Sequence, residues 1–198
     1  MHMGSAHESI YTTAPRQSVV TGFAHPARNV AALRVEPGMH VADFGSGSGA
    51  YVFEIADALS GSGHIYAIDI QRDLLHRIRN EATRRKLPNV EILWGDLEKS
   101  GGSKLAESSI DLVLISNTLF QIHEKAIVLA EARRILKDSG RLAIIDWSDS
   151  FGGTGPQSQD VVKKEAALSL AQKCGFEMMR EFPAGSHHWG VILRKQGS

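Results

Sequence analysis

From residue 26 onward, apolar runs of strand length alternate with stretches of helical period, and this alternation leaves few folds open. Strands separated by helices are free to lie parallel, and the intervening helices then cover both faces of the sheet. Residues 26–33 predict a short helix, stopped by Glu36-Pro37-Gly38, and residues 40–44 a first strand. Val52, Ile55, Ala56 and Leu59 recur at spacings of three and four, which predicts a helix over 50–59 that ends at Gly61-Ser62-Gly63. A strand over 64–68, a helix over 72–86 carrying Leu75, Ile78 and Ala82 on one face, and a strand over 90–94 follow. The polar stretch 97–109 predicts a surface loop with one short helix. Ile110-Asp111-Leu112-Val113-Leu114-Ile115 is almost continuously apolar, as a strand buried on both faces must be.

A helix over 124–137 closed by Gly140, a strand over 141–147 and a glycine-rich segment over 148–157 come next. The last helix is expected over 158–174, with Val162, Ala166, Leu170 and Cys174 buried. Strands over 177–182 and 189–194 end the chain. Too few residues separate them for a helical crossover, so they must pair antiparallel. The fold class is α/β: a seven-stranded, mainly parallel sheet with an antiparallel last strand and helices on both faces.

Between the first strand and its helix the chain reads Asp43-Phe44-Gly45-Ser46-Gly47-Ser48-Gly49. Glycines suit a strand-to-helix turn because they accept open backbone angles and let a ligand reach the peptide groups. Their spacing alone also fits the dinucleotide pattern when read through Ala50. Asp43 separates the two readings. A dinucleotide sets its pyrophosphate at the start of this helix, where a carboxylate would repel it, whereas a ligand with an ammonium group is attracted there. Asp69, at the end of the second strand, has two oxygens suited to a pair of ribose hydroxyls. Gly95-Asp96-Leu97 follows the third strand and Ser116-Asn117-Thr118 the fourth.

With these features the sequence resembles the class I S-adenosylmethionine-dependent methyltransferases, over about residues 28–195. Tyr66-Ala67-Ile68-Asp69 and Leu142-Ala143-Ile144-Ile145-Asp146-Trp147 are similar to small-molecule enzymes of the quinone-biosynthesis and arsenite type. The resemblance implies a Rossmann-like fold and S-adenosyl-L-methionine as cofactor. It implies a cofactor site of Asp43, Gly45, Ser46, Gly47, Gly49, Asp69, Ile70, Gly95, Asp96, Leu97 and Asn117, with Asp96 and Leu97 at the adenine and Asn117 near the methionine portion. The acceptor is expected to be a small molecule, with RNA or protein as the alternative acceptor and a nicotinamide-dependent oxidoreductase or a non-catalytic cofactor-binding module as the alternative functions. Arsenite enzymes hold their metalloid with several cysteines, and Cys174 is the only one in this chain.

His123, six residues past Asn117, is the candidate for a general base or acceptor-positioning group; the alternative is an ordinary histidine near a helix start. Trp147 is a candidate wall of the acceptor pocket, or an aromatic filling a strand end. His187-His188-Trp189 reads as a structural strand edge, since a metal would need a third ligand. Tyr11 and Phe23 are candidates for an N-terminal flap.

The 198 residues, 42% of them hydrophobic, suffice for one domain over 26–198. Residues 1–25 are read as a tag remnant, Met1 to Ser5, followed by the flap. Neither a membrane-length apolar run nor a signal-peptide pattern is present, which predicts a cytoplasmic protein. Net charge is zero, which argues against nucleic acid as partner. The basic helix over 72–86 lacks aromatic interleaving and reads as a solvated face.

Overall fold

The computed structural model describes residues 24–151, 153 and 155–196. The flap residues Tyr11 and Phe23 lie outside them. Helices α1 (Pro26–Leu33), α2 (Ala50–Ala58) and α3 (Arg72–Arg85) interleave with strands β1 (His40–Phe44), β2 (His64–Asp69) and β3 (Val90–Trp94). β4 (Ile110–Ser116), α4 (Lys125–Ile135), β5 (Leu136–Trp147), α5 (Lys164–Lys173), β6 (Phe176–Gly185) and β7 (His188–Lys195) complete the chain. The strands form one seven-stranded sheet in the order β3-β2-β1-β4-β5-β7-β6. β1 to β5 pair parallel, and β7 runs antiparallel to both β5 and β6.

Two cores sandwich the sheet. Val41, Leu112, Leu114, Ala143, Ile145 and Ile192 face α1, α2 and α3, whereas Phe44, Ile115, Leu142, Ile144 and Val191 face α4 and α5. Because β-strand side chains alternate between faces, neighbouring residues on β4 and β5 enter different cores. This accounts for the unbroken apolar runs in both strands.

Four expectations are corrected. α4 stops at Ile135 rather than near Gly140, because Leu136 turns to extended backbone (φ −66°, ψ 136°) and pairs with Ile110. Gly140 marks a bulge instead: a Cβ there would fall 2.9 Å from the Leu136 side chain and 3.0 Å from the Ile110 carbonyl. α5 begins at Lys164, six residues later than expected. The Val162 carbonyl accepts a hydrogen bond from Trp189 Nε1 (3.1 Å), and the small residues Ala167 and Ala171, not Ala166, pack on the sheet. β7 is an interior strand, so His188 and Trp189 sit between β5 and β6 rather than on an edge. Finally, the 97–109 segment holds turns and no helix, while an unforeseen 3-10 turn, Leu119–Gln121, follows β4. Among the described residues no helix is long and apolar enough to cross a membrane.

Candidate functional site

Strand order changes direction between β1 and β4, and at such a switch point the loops leaving the carboxyl ends diverge and open a cleft. The cleft here encloses about 410 Å³, within the range of small-molecule sites. Asp43, Gly45, Ser46, Gly47, Asp69, Ile70, Gly95, Asp96, Leu97 and Asn117 all line it. Gly49 does not. It opens α2 at φ +84°, and a Cβ there would fall 2.9 Å from Ile78, so its smallness serves the packing of α2 on α3. Gly45 (φ +78°) has a different reason to be glycine: a Cβ would meet the Thr118 side chain at 2.6 Å, so the loop after β4 closes directly onto the glycine turn.

Asp43 is 2% exposed at the end of β1. Burial, and secondarily the charge of Asp69, push its carboxyl up to about 7. No basic side chain among the described residues offsets this. A buried acid held in this state is poised to accept a cation brought by a ligand. Asp69 is held from two sides: Oδ2 accepts from the Gly47 amide (2.9 Å) and Oδ1 from the Gln71 amide (2.8 Å). Each oxygen keeps a further lone pair for a hydroxyl. Ile70, the next residue, is 56% exposed, an apolar surface left open beside the cleft.

Asp96 accepts from the Glu98 amide (3.2 Å) and pairs with Lys99 (2.8 Å), whose hydrogen bond is the main cause of a lowered carboxyl pKa. Gly95 lies under the backbone of the 97–109 segment, where a Cβ would be 2.3 Å from the Gly102 carbonyl. Asn117 occupies the left-handed region (φ +53°), which asparagine tolerates better than most residues. Its Oδ1 is buried without a hydrogen-bond partner.

Tyr51, Gln121 and Ile122 also line the cleft, and sequence reasoning passed over them. Tyr51 comes second in α2, directly after the glycine loop, and that adjacency was the available signal. Its hydroxyl accepts from Asn29 Nδ2 (2.9 Å), and burial raises its pKa, so it stays a neutral donor.

His123 falls elsewhere. It lines a separate cavity of about 600 Å³ with residues of α4 and α5, and only its backbone amide is engaged, donating to Glu98 Oε2 (3.0 Å). Beneath the loop after β4, the fully buried Asp146 accepts from the amides of Leu119 (3.0 Å) and Trp147 (2.8 Å). Burial pushes its carboxyl up to about 6. On α3, Arg84 and Arg85 pair with Glu81, and Arg72 stacks over Trp94. Much of the basic charge of this helix is thus engaged within the chain.

Comparison with known proteins agrees with this geometry. A demethylmenaquinone methyltransferase of Listeria monocytogenes is 30% identical over 160 residues, 76% of this chain and 66% of that protein. An aklanonic acid methyltransferase of a Streptomyces species is 33% identical over 106 residues, 54% of this chain and 47% of that protein. An arsenite methyltransferase of Halobacterium salinarum is 29% identical over 110 residues, 56% and 27%. The chain thus spans less than two thirds of each of these relatives. The crystal structure of a SAM dependent methyltransferase from Aquifex aeolicus superimposes with a TM-score of 0.78 at 25% identity, covering 86% of this chain and 89% of that one. Residues 35–197 match the methyltransferase-domain family, and the chain belongs to it.

Proposed function

We propose that this chain is an S-adenosyl-L-methionine-dependent methyltransferase acting on a small-molecule acceptor. The observation that carries the reading is the buried Asp43 carboxyl in the cleft wall, raised to about 7 and facing no cation among the described residues. An ammonium group beside it would remove that cost, whereas the pyrophosphate of a dinucleotide would add to it.

S-adenosylmethionine supplies a methyl group on a positively charged sulfur. The chain's residues hold and screen it. Asp43 and the glycine-loop amides face the methionine end, Asp69 the ribose, and Ile70, Asp96 and Leu97 the adenine, while Asn117 reaches the methionine portion. Asp146 fixes the loop from which Thr118, Gln121 and Ile122 close the cleft and exclude water. The relatives named above include enzymes for demethylmenaquinone, aklanonic acid and arsenite, which supports a small acceptor; with Cys174 alone, a multi-cysteine metalloid site is not available. We place the protein in the cytoplasm, a setting that suits a lone free thiol.

Calorimetry with S-adenosylhomocysteine and with NADH tests the cofactor. Micromolar binding of the former, with none of the latter, is expected. Binding of NADH alone would overturn the reading.

A further inference from the structure

Beyond the cofactor cleft, the sheet carries buried polar side chains that the fold itself does not use. Leu114 and Ile145 belong to the core under α1, α2 and α3, so Ser116 and Trp147, two residues further along β4 and β5, lie on that face as well. His188 is the register partner of Trp147 and shares it. His188 is 6% exposed, and its ring centroid lies 4.2 Å from that of Trp147. Neither ring nitrogen has a hydrogen-bond partner among the described residues. From α1, Asn29 Nδ2 donates to the Tyr51 hydroxyl (2.9 Å) and to the Ala184 carbonyl (3.0 Å), and its Oδ1 is without a partner. Ala184 adjoins Gly185, the β6 partner of His188. Asn29 thus ties the cleft-lining Tyr51 to the end of the sheet where His188 lies.

Folded interiors rarely leave hydrogen-bonding groups unmatched, and a neutral imidazole always presents one donor and one acceptor. We propose that His188 is an acceptor-recognition residue, hydrogen-bonding the hydroxyl or carbonyl oxygen of a flat, uncharged acceptor whose ring system packs beside Trp147 and Tyr51. This rests on the methyltransferase reading above. Neighbouring strands are about 4.8 Å apart, so β7 lies roughly 10 Å from β4, the length of a fused two-ring body. At that distance His188 grips the far end of the acceptor and does not act at the reacting atom. Burial, reinforced by His187, depresses the imidazole to about 4 and keeps it uncharged, which fits a neutral partner and disfavours a carboxylate. Gly155 covers the other side of the Trp147 ring, where any Cβ would fall 2.6 Å from it, and His187, paired with Asp149 (2.7 Å) and stacked on Phe151, stands beside this cover.

The test uses the full chain saturated with S-adenosylhomocysteine, titrated with 2-naphthol and with 2-naphthoate by calorimetry and by nitrogen NMR of labelled histidine rings. Expected results are a shift of the His188 ring resonances with 2-naphthol and affinity about tenfold or more above that for 2-naphthoate. His188→Phe is expected to weaken 2-naphthol about tenfold, and His188→Gln, which keeps a donor and an acceptor, to restore most of it. S-adenosylhomocysteine affinity and the thermal midpoint, measured for both variants, establish that the fold and the cofactor cleft are intact. The proposal is overturned if 2-naphthol does not bind, if 2-naphthoate binds as well, or if His188→Phe leaves 2-naphthol affinity unchanged in a folded protein. Failure of S-adenosylhomocysteine to bind the native chain would instead strike the cofactor reading beneath it.

Discussion

The two halves of the sheet's carboxyl edge are finished differently. On the β1-β2-β3 half, Asp69 and Asp96 are already held by nearby amides and by Lys99, so their oxygens stand in fixed directions before any ligand arrives. On the β4-β5-β7 half, Asn117 and His188 keep buried polar atoms with no partner, and the loop after β1 adds Ser46 Oγ. Carboxylates held in fixed directions beside polar atoms still unmatched suit a protein in which one ligand is constant and the second is chosen by its polar groups.

The sharpest way to break this contrast is Asp69→Ala. That substitution removes the two acceptors that fix the Gly47 and Gln71 amides, along with the oxygens offered to a ribose. S-adenosylhomocysteine affinity should fall about 100-fold, close to two charge-assisted hydrogen bonds. Calorimetry reads it directly; a loss below about threefold would mean that the β1-β2-β3 half is not preorganised by this residue.

Next in size is the pH response of Asp43. Its folded pKa, about 7, is raised above the ordinary carboxylate value, so in the free protein it stays protonated below neutrality. Ionising a buried acid opposes folding, so Asp43 lowers the free protein's stability as pH rises from about 4 to 7. Binding of an ammonium-bearing ligand requires the ionised form. S-adenosylhomocysteine affinity should therefore weaken about tenfold for each pH unit below 7, and Asp43→Asn should flatten that slope while binding more weakly at pH 8. A slope unchanged in the variant would assign the proton to another group.

Asp146 braces the β4-β5-β7 half from below, since its carboxylate holds both the turn after β4 and the end of β5. Asp146→Ala would leave two buried amides without their acceptor and should cost about 1–3 kcal/mol of stability by denaturant unfolding. Its own ionisation opposes folding between about pH 4 and 6, because its folded pKa of about 6 lies above the ordinary value; the variant should lose that part of the pH dependence.

The contrast also explains what could be read from the sequence. The cofactor side is written in short stretches, Asp43 to Gly49, Asp69 with Ile70, and Gly95 to Leu97, each sitting where a strand ends, so locating the strands located the residues. The second site draws on Asn29, Tyr51, Ser116, Trp147 and His188, whose separations along the chain carry no period. They meet only because β7 inserts between β5 and β6, and an antiparallel hairpin at the end of the chain does not say where it will dock. His123 shows the converse case. Its closeness in sequence to Asn117 suggested a place beside the cleft, but past the 3-10 turn between them it lines the neighbouring cavity of α4 and α5. Gly140 looked like a helix stop because glycine serves helix ends and bulges alike, and only the pairing of Leu136 with Ile110 distinguishes them.

The smallest expected effect is at Lys99, and it tests whether the held state of Asp96 depends on an ion pair or on the backbone. Lys99 is largely exposed and pairs with Asp96 at 2.8 Å, while the Glu98 amide reaches the same carboxylate at 3.2 Å. Exposed pairs of this kind are screened by salt and give up side-chain freedom to form, so they contribute little. Lys99→Ala should change S-adenosylhomocysteine affinity by no more than about twofold at physiological salt. Its sign is informative. If Asp96 receives the adenine amino group, freeing it from Lys99 should tighten binding slightly, and added salt should mimic the substitution in the native chain. A weakening several times larger would mean that Lys99 holds Asp96 in its working direction, and the β1-β2-β3 half of the edge would then owe its order to a surface charge rather than to the strand ends.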